Sequence, residues 1–133
     1  MANVDSFRAA SSKGGSLALS DFEGKVPVVI LFLGPIADAS GDLRAFDRHL
    51  VDFGRHRVQL LCVVRGDGND VRSVPFEGLN LPVLADPHGE IEHRFGGHFA
   101  VILDRQGDLV AQVPSPEGPE QIISRIESLG LAA

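Results

Sequence analysis

Residues 26–42 read VPVVILFLGPIADASGD, and the change of character along this stretch decides the fold. The first eight, VPVVILFL (26–33), are an apolar run rich in β-branched side chains. Such a run suits a strand buried on both faces, because a strand wet on one face would alternate polar and apolar residues. Gly34-Pro35 then breaks the strand, and Asp38, Ser40 and Asp42 supply the chemistry of a helix start. From Ser40 to Gly54, Leu43, Phe46, Leu50 and Phe53 recur at three- and four-residue spacing, the pattern of one buried helix face. A strand that turns into a helix is where α/β proteins place their chemistry. Yet residues 34–42 contain no Cys, His or Lys and no Gly-rich phosphate cradle.

Working outward, VQLLCVV (58–64) reads as a second buried strand, RGDGND (65–70) as a loop with a short helix beginning after Asn69, and LPVLAD (81–86) as a third, shorter strand. PHGEIEHRFGG (87–97) suits one helical stretch closed by two glycines. FAVILDRQGDLVAQV (99–113) predicts a hairpin turning at Gln106-Gly107. SPEGPEQIISRIESLG (115–130) predicts a capped final helix with Ile122, Ile123, Ile126 and Leu129 on its inner face. Toward the N-terminus, LALSDFEGK (17–25) is a short extended stretch with a turn, and SSKGG (11–15) is flexible punctuation. Residues 1–15 are therefore expected to be a loose segment ahead of one domain, 16–133. A right-handed βαβ crossover gives a parallel half, and the hairpin adds an antiparallel half. The expected fold class is α/β, a mixed parallel and antiparallel sheet with helices on both faces.

Composition narrows the partners. The 133 residues, 44% hydrophobic and 23% charged, make one domain with one sizeable core. A formal net charge of −6, with Lys13 and Lys25 the only lysines, argues against nucleic acid or an anionic membrane as partner. No apolar stretch approaches the ~20 residues that span a bilayer. MANVDSFRAASSKGG (1–15) has no apolar signal region, so the cytoplasm is the expected compartment. A single cysteine, Cys62, excludes an internal disulfide and a Cys-based metal cluster. No cofactor is implied.

LSDFEGKVPVVILFLGP (19–35) resembles the opening of the redoxin group within the thioredoxin-like fold. That group holds peroxiredoxins, TlpA-type thiol-disulfide reductases and the thioredoxin-like proteins of methylamine utilisation. LPVLADPHGEIEHRFG (81–96) and FGGHFAVILDRQGDLV (95–110) are similar to the group's later segments, so the resemblance covers roughly residues 17–130. It implies a thioredoxin-like domain. In a peroxiredoxin the loop after this strand reads Pro-x-x-x-Thr-x-x-Cys, and a helix N-terminus with a nearby Arg holds the cysteine as thiolate. Placing Pro35 on that proline puts Ala39 on the threonine and Asp42 on the cysteine, and the family Arg falls on His98. In the reductase register, Ala37 and Ser40 replace the Cys-x-x-Cys pair and His98 replaces the cis-proline. Neither register leaves a thiol. The turn thus resembles a redox site whose redox residues are gone.

Three readings follow. The first is a non-redox redoxin domain that binds a protein partner or small molecule at the 34–42 and His98 face. A homodimer is compatible with it. Similar domains with F-G-x-x-A-D-x-x-G loops accompany iron- and 2-oxoglutarate-dependent oxygenases, so an oxygenase partner is implied by analogy. The second is a thiol-dependent antioxidant oxidoreductase, a peroxidase or disulfide reductase, using Cys62 or a partner's cysteine. The third is a weak metal or acid-base site on Asp38, Asp42 and His98, since imidazole and carboxylate both ligate metals. Against the third, Asp38 or Ser40 suits a helix cap, Asp42 complements the helix dipole, and His98 fills space. Cys62, flanked by Val58, Leu60 and Val64 on one strand face, reads as a buried, inert thiol. His88, Glu92 and His93 read as a solvated helix face, and His49 and His56 flank the end of the long helix. Arg44 and Arg48 would pair with Asp47 or Asp52 or stay solvated.

Overall fold

The computed structural model describes residues 7–72 and 79–131. Its strands are β1 (Arg8–Ala10), β2 (Ser16–Ala18), β3 (Val28–Pro35), β4 (Gln59–Arg65), β5 (Val83–Ala85), β6 (Ala100–Leu103) and β7 (Leu109–Val113). Its helices are α1 (Ser40–Arg48), α2 (Leu50–Arg55), α3 (Gly68–Val71), α4 (Glu90–Arg94) and α5 (Pro119–Leu129). The apolar run becomes the central strand of a sheet ordered β5-β4-β3-β6-β7. β3, β4 and β5 run parallel, while β6 and β7 are antiparallel. This is the mixed sheet that the element order predicts.

Residues of β3 alternate between two buried layers, because successive side chains of a strand point to opposite faces. Val29 and Leu31 join Leu60, Cys62, Val64 and Ile102 under Leu43, Phe46, Phe53, Ile122 and Ile126, which come from α1, α2 and α5. Val28, Ile30 and Phe32 join Leu61, Val63 and Val101 under Ile91 and Phe95 of the α4 segment, with Phe7, Ala9 and Leu19 completing that layer. Helices therefore cover both faces. Each fully buried large side chain contributes about 1.5–3 kcal/mol of apolar burial.

Several local expectations change. The segment 1–15 is not loose throughout. β1 pairs antiparallel with β2, Phe7 and Ala9 are buried, and Ser12 Oγ accepts the Val83 N–H at 3.0 Å, so residues from Phe7 onward pack on the sheet. The apolar Phe7 and Ala9 sit just before SSKGG, and their burial outweighs the turn signal. Residues 1–6 lie outside the described residues. Leu129, expected on the inner face of the last helix, is 40% exposed, whereas Ile122 and Ile126 are fully buried. Asp47 Oδ1 accepts the backbone N–H groups of Asn80 (2.8 Å) and Leu81 (3.0 Å), tying α1 to the approach of β5, and Asp52 pairs with Arg55. Arg44 and Arg48 are exposed and, among the described residues, make no ion pair with either carboxylate, in line with their staying solvated.

The helix expected over 40–54 is interrupted at His49, and the cause is local. In a continuous helix the His49 N–H would bond to the Ala45 carbonyl. His49 Nδ1 takes that carbonyl at 3.1 Å, and the His49 N–H turns to Phe46 O instead. A side chain has displaced the backbone from its own ladder. At the end of α2 the His56 ring shares its carbonyl with the backbone: Nδ1 donates to Asp52 O at 2.8 Å, and the His56 N–H still reaches the same oxygen at 3.3 Å.

With Nδ1 occupied, the Nε2 atoms of both imidazoles face α5, His49 toward Glu120 (3.8 Å) and His56 toward Glu127 (3.5 Å). Only the imidazolium form can donate from both nitrogens. The Asp52 carbonyl, followed by Glu127, raises the His56 pKa above its ordinary value despite partial burial. A raised folded-state pKa adds stability that is complete below the unfolded value of about 6.5 and fades as pH rises through the folded value. His56→Gln should therefore destabilise more at pH 5.5 than at pH 8. The difference should stay within about 1 kcal/mol, because the pair is partly solvated. Urea unfolding of both proteins at the two pH values measures it.

Candidate functional site

The parallel strands β3, β4 and β5 end at one edge of the sheet, and β3 is the strand from which the chain departs to either side. Open α/β sheets bind ligands at such a switch point. β3 runs into Gly34, whose φ of +74° is left-handed and favours glycine. A 3-10 turn, Ile36–Asp38, follows and leads directly into α1. Ala39 is the N-cap with helical dihedrals and no side-chain cap bond. Neither Asp38 nor Ser40 caps α1, because the preceding turn already donates the Ala39 N–H to Ile36 O and leaves no extended cap residue. Ser40 is the first helical residue, and Asp42 lies in the first turn, where its charge complements the dipole.

The structure brings Asp42 and His98 to one shallow concavity of about 280 Å3, together with Gly34, Phe32, Glu92 and Phe99. Pro35, Ala37, Asp38 and Ser40 do not line it: all four are exposed elsewhere on the turn, and Ala39 is buried beneath it. The Phe32 N–H donates to Phe99 O at 2.8 Å, which holds the His98 segment beside the end of β3. His98 is half-buried, and its ring folds over Gly96, where a Cβ would sit 3.2 Å from Nε2. A side chain at Gly96 would press the His98 ring aside by a few tenths of an ångström, and the left-handed φ of +84° favours glycine there as well. The described residues contain no cis peptide bond, so the backbone at His98 does not reproduce the reductase proline. Among the described residues, no group of three or more His, Cys, Asp or Glu is arranged to hold a metal ion.

Cys62 lies in the middle of β4, fully buried between Leu61 and Val63. Burial pushes its thiol well above the ordinary range, and the Asp42 and Asp47 carboxylates add to that rise. It is a neutral thiol facing the α1 side of the core.

Two residues at this edge escape the motif reading. Arg65 stands opposite Pro35 in the parallel register, and its Nη2 lies 3.3 Å from where a Gly34 Cβ would be. Its Nε pairs with Glu92 at 3.5 Å. A signal for Arg65 exists: it is the first charged residue after the run VQLLCVV, at the carboxyl end of a parallel strand. His88 and His93 are exposed, as a solvated face requires, while Glu92 is partly buried and His88 precedes α4 rather than lying within it. All three border a larger concavity of about 810 Å3 next to the first. Asp86 fixes α4 there, since its buried carboxylate accepts the Ile91 and Glu92 N–H groups at 3.2 and 3.1 Å.

No family model matches this sequence, and no curated protein sequence matches it. Solved structures do match in three dimensions. The reduced 2-Cys peroxiredoxin of Plasmodium vivax superposes with a TM-score of 0.80 at 17% identity, covering 96% of this chain and 94% of that one. The peroxidoxin BcpB of Mycobacterium tuberculosis gives 0.79 at 15%, covering 96% of each chain. The exposed lipoprotein thioredoxin Etrx1 of Streptococcus pneumoniae gives 0.72 at 24%, covering 93% and 99%. The chain has a thioredoxin-like fold of the redoxin kind. It carries one cysteine, which the strand buries. No described helix is long and apolar enough to cross a membrane.

Proposed function

We propose that this protein is a redoxin-fold binding protein without thiol chemistry of its own, which docks a protein partner or small molecule at the face formed by residues 34–42 and His98. One observation carries the reading. The turn after β3 holds Asp42 in the first helical turn and no thiol, while the sole thiol is sealed in the sheet. Thiol catalysis needs an exposed thiolate at an electropositive position. In the peroxiredoxin register Asp42 takes the place of the attacking cysteine and His98 that of the Arg. An acidic residue there can accept hydrogen bonds from a ligand but cannot reduce a peroxide. The turn matches the F-G-x-x-A-D-x-x-G form from Gly34 to Gly41, with Leu33 in place of the Phe, and this makes an oxygenase a partner to try first. A homodimer fits the same reading.

The competing reading is a thiol-dependent oxidoreductase using Cys62 or a partner's cysteine. The two separate in one assay. Peroxide consumption and insulin reduction, driven by dithiothreitol, should not exceed a buffer control for wild type or Cys62→Ser. Turnover in wild type that disappears in Cys62→Ser would replace the binding reading with the enzymatic one.

A further inference from the structure

We infer that the larger concavity beside the turn is a site for a small molecule bearing an oxyanion, a phosphate or carboxylate group, with Arg65 as its central recognition residue. This rests on the binding reading above and names the chemistry of the ligand. The concavity has about 810 Å3, within the size range of small-molecule sites. Arg65, His88, His93 and Arg94 border it, from the end of β4, the turn before α4 and α4 itself. Glu90 and Glu92 also border it, so the two arginines are balanced by two carboxylates and the imidazoles add further ring donors. The chain as a whole carries −6, which makes a local convergence of four cation-capable side chains a departure from the surrounding field.

The Arg65 side chain, 47% exposed, runs from the larger concavity toward the smaller one. Its stem lies over Gly89, where a Cβ would meet Cδ at 3.5 Å, its Nη2 lies close to Gly34, and its Nε forms an ion pair with Glu92 at 3.5 Å. A guanidinium held at Nε still offers its Nη donors, and two parallel N–H groups match an oxyanion in fork geometry. Glu92 and Gly97 border both concavities, so an occupant of the larger one lies against the Asp42 and His98 face.

Amide chemical-shift titration of the full chain tests this, with sodium phosphate in one arm and sodium acetate in another, each against sodium chloride at matched ionic strength. Saturable shifts are expected at Arg65, Gly89, Glu92, Gly96 and Gly97. Arg65→Gln should weaken binding about tenfold or more, the loss of one charge-assisted bidentate contact. The exposed pair His88→Gln/His93→Gln, which removes two ring donors from the lining, should also weaken binding, and it keeps the test valid if Arg65→Gln fails to fold. The tighter arm identifies phosphate or carboxylate as the group. Absence of saturable shifts in both arms, or unchanged affinity in both variants, overturns the oxyanion site while leaving the binding reading standing. Turnover in the peroxide and insulin assays would instead remove the reading on which it rests.

Discussion

An Asp42→Cys variant should carry a thiol that iodoacetamide alkylates at pH 7 faster than it alkylates a cysteine in an unstructured peptide. Asp42 lies in the first turn of α1, where unpaired N–H groups and the dipole favour negative charge. A thiol near 8.5 is only about 3% thiolate at pH 7. Lowering it by roughly one unit raises the thiolate about eightfold, while intrinsic nucleophilicity falls about threefold, so the net gain is about threefold. The wild-type protein, with Cys62 buried, should show no labelling under the same conditions, which makes the contrast near all-or-none. An introduced thiol that reacts more slowly than the peptide would place the thiol position elsewhere in the turn. Ala37→Cys/Ser40→Cys, the reductase register, would then be the pair to build.

Phe46→Ala should cost about 3–5 kcal/mol and lower the melting temperature by roughly 10–20 °C. Phe46 is 1% exposed, and its ring lies 6.2 Å from Phe53 and 6.5 Å from Phe99. It pins α1, whose first turn forms the site, to the residue that follows His98. Removing it leaves a cavity that α1, α2 and β6 cannot all close. Total stabilities of about 5–15 kcal/mol make this a large fraction. Val51→Ala, on the outer face of α2 at 68% exposure, is the control and should stay within about 0.5 kcal/mol. Thermal and urea melts of the three proteins decide it, and a Phe46→Ala melt indistinguishable from the control would mean that α1 is not docked as described.

The fold was legible wherever apolar periodicity was long. VPVVILFL and VQLLCVV announce strands buried on both faces, and the Leu43, Phe46, Leu50, Phe53 series announces the α1 and α2 face. What sequence could not carry was competition at single carbonyls. His49 is helix-neutral by composition, and only the placement of Nδ1 on the Ala45 carbonyl interrupts the helix. The helix cap failed for a related reason: Asp38 and Ser40 are good cap residues, but a 3-10 turn reaches Ala39 first. At the site, motif alignment brought Asp42 and His98 together. It passed over Arg65 and Glu92, because an alignment weighs positions where a family keeps chemistry, and these two become neighbours of the turn only through the β3–β4 register and the approach of α4. Lysine and arginine counts did not show that Arg65, His88, His93 and Arg94 border one concavity, since folding gathers them from residues 65–94.

The central claim is that the turn after β3 offers no thiol and that the one thiol in the chain is sealed in β4. Reaction of the wild-type protein with Ellman's reagent measures this directly, first in native buffer and then in guanidinium chloride. No thiol should be released natively over an hour, and one per chain should appear on denaturation. Native release of one equivalent at the rate of a free cysteine would contradict the account, because it would give this redoxin fold an accessible thiol to work with.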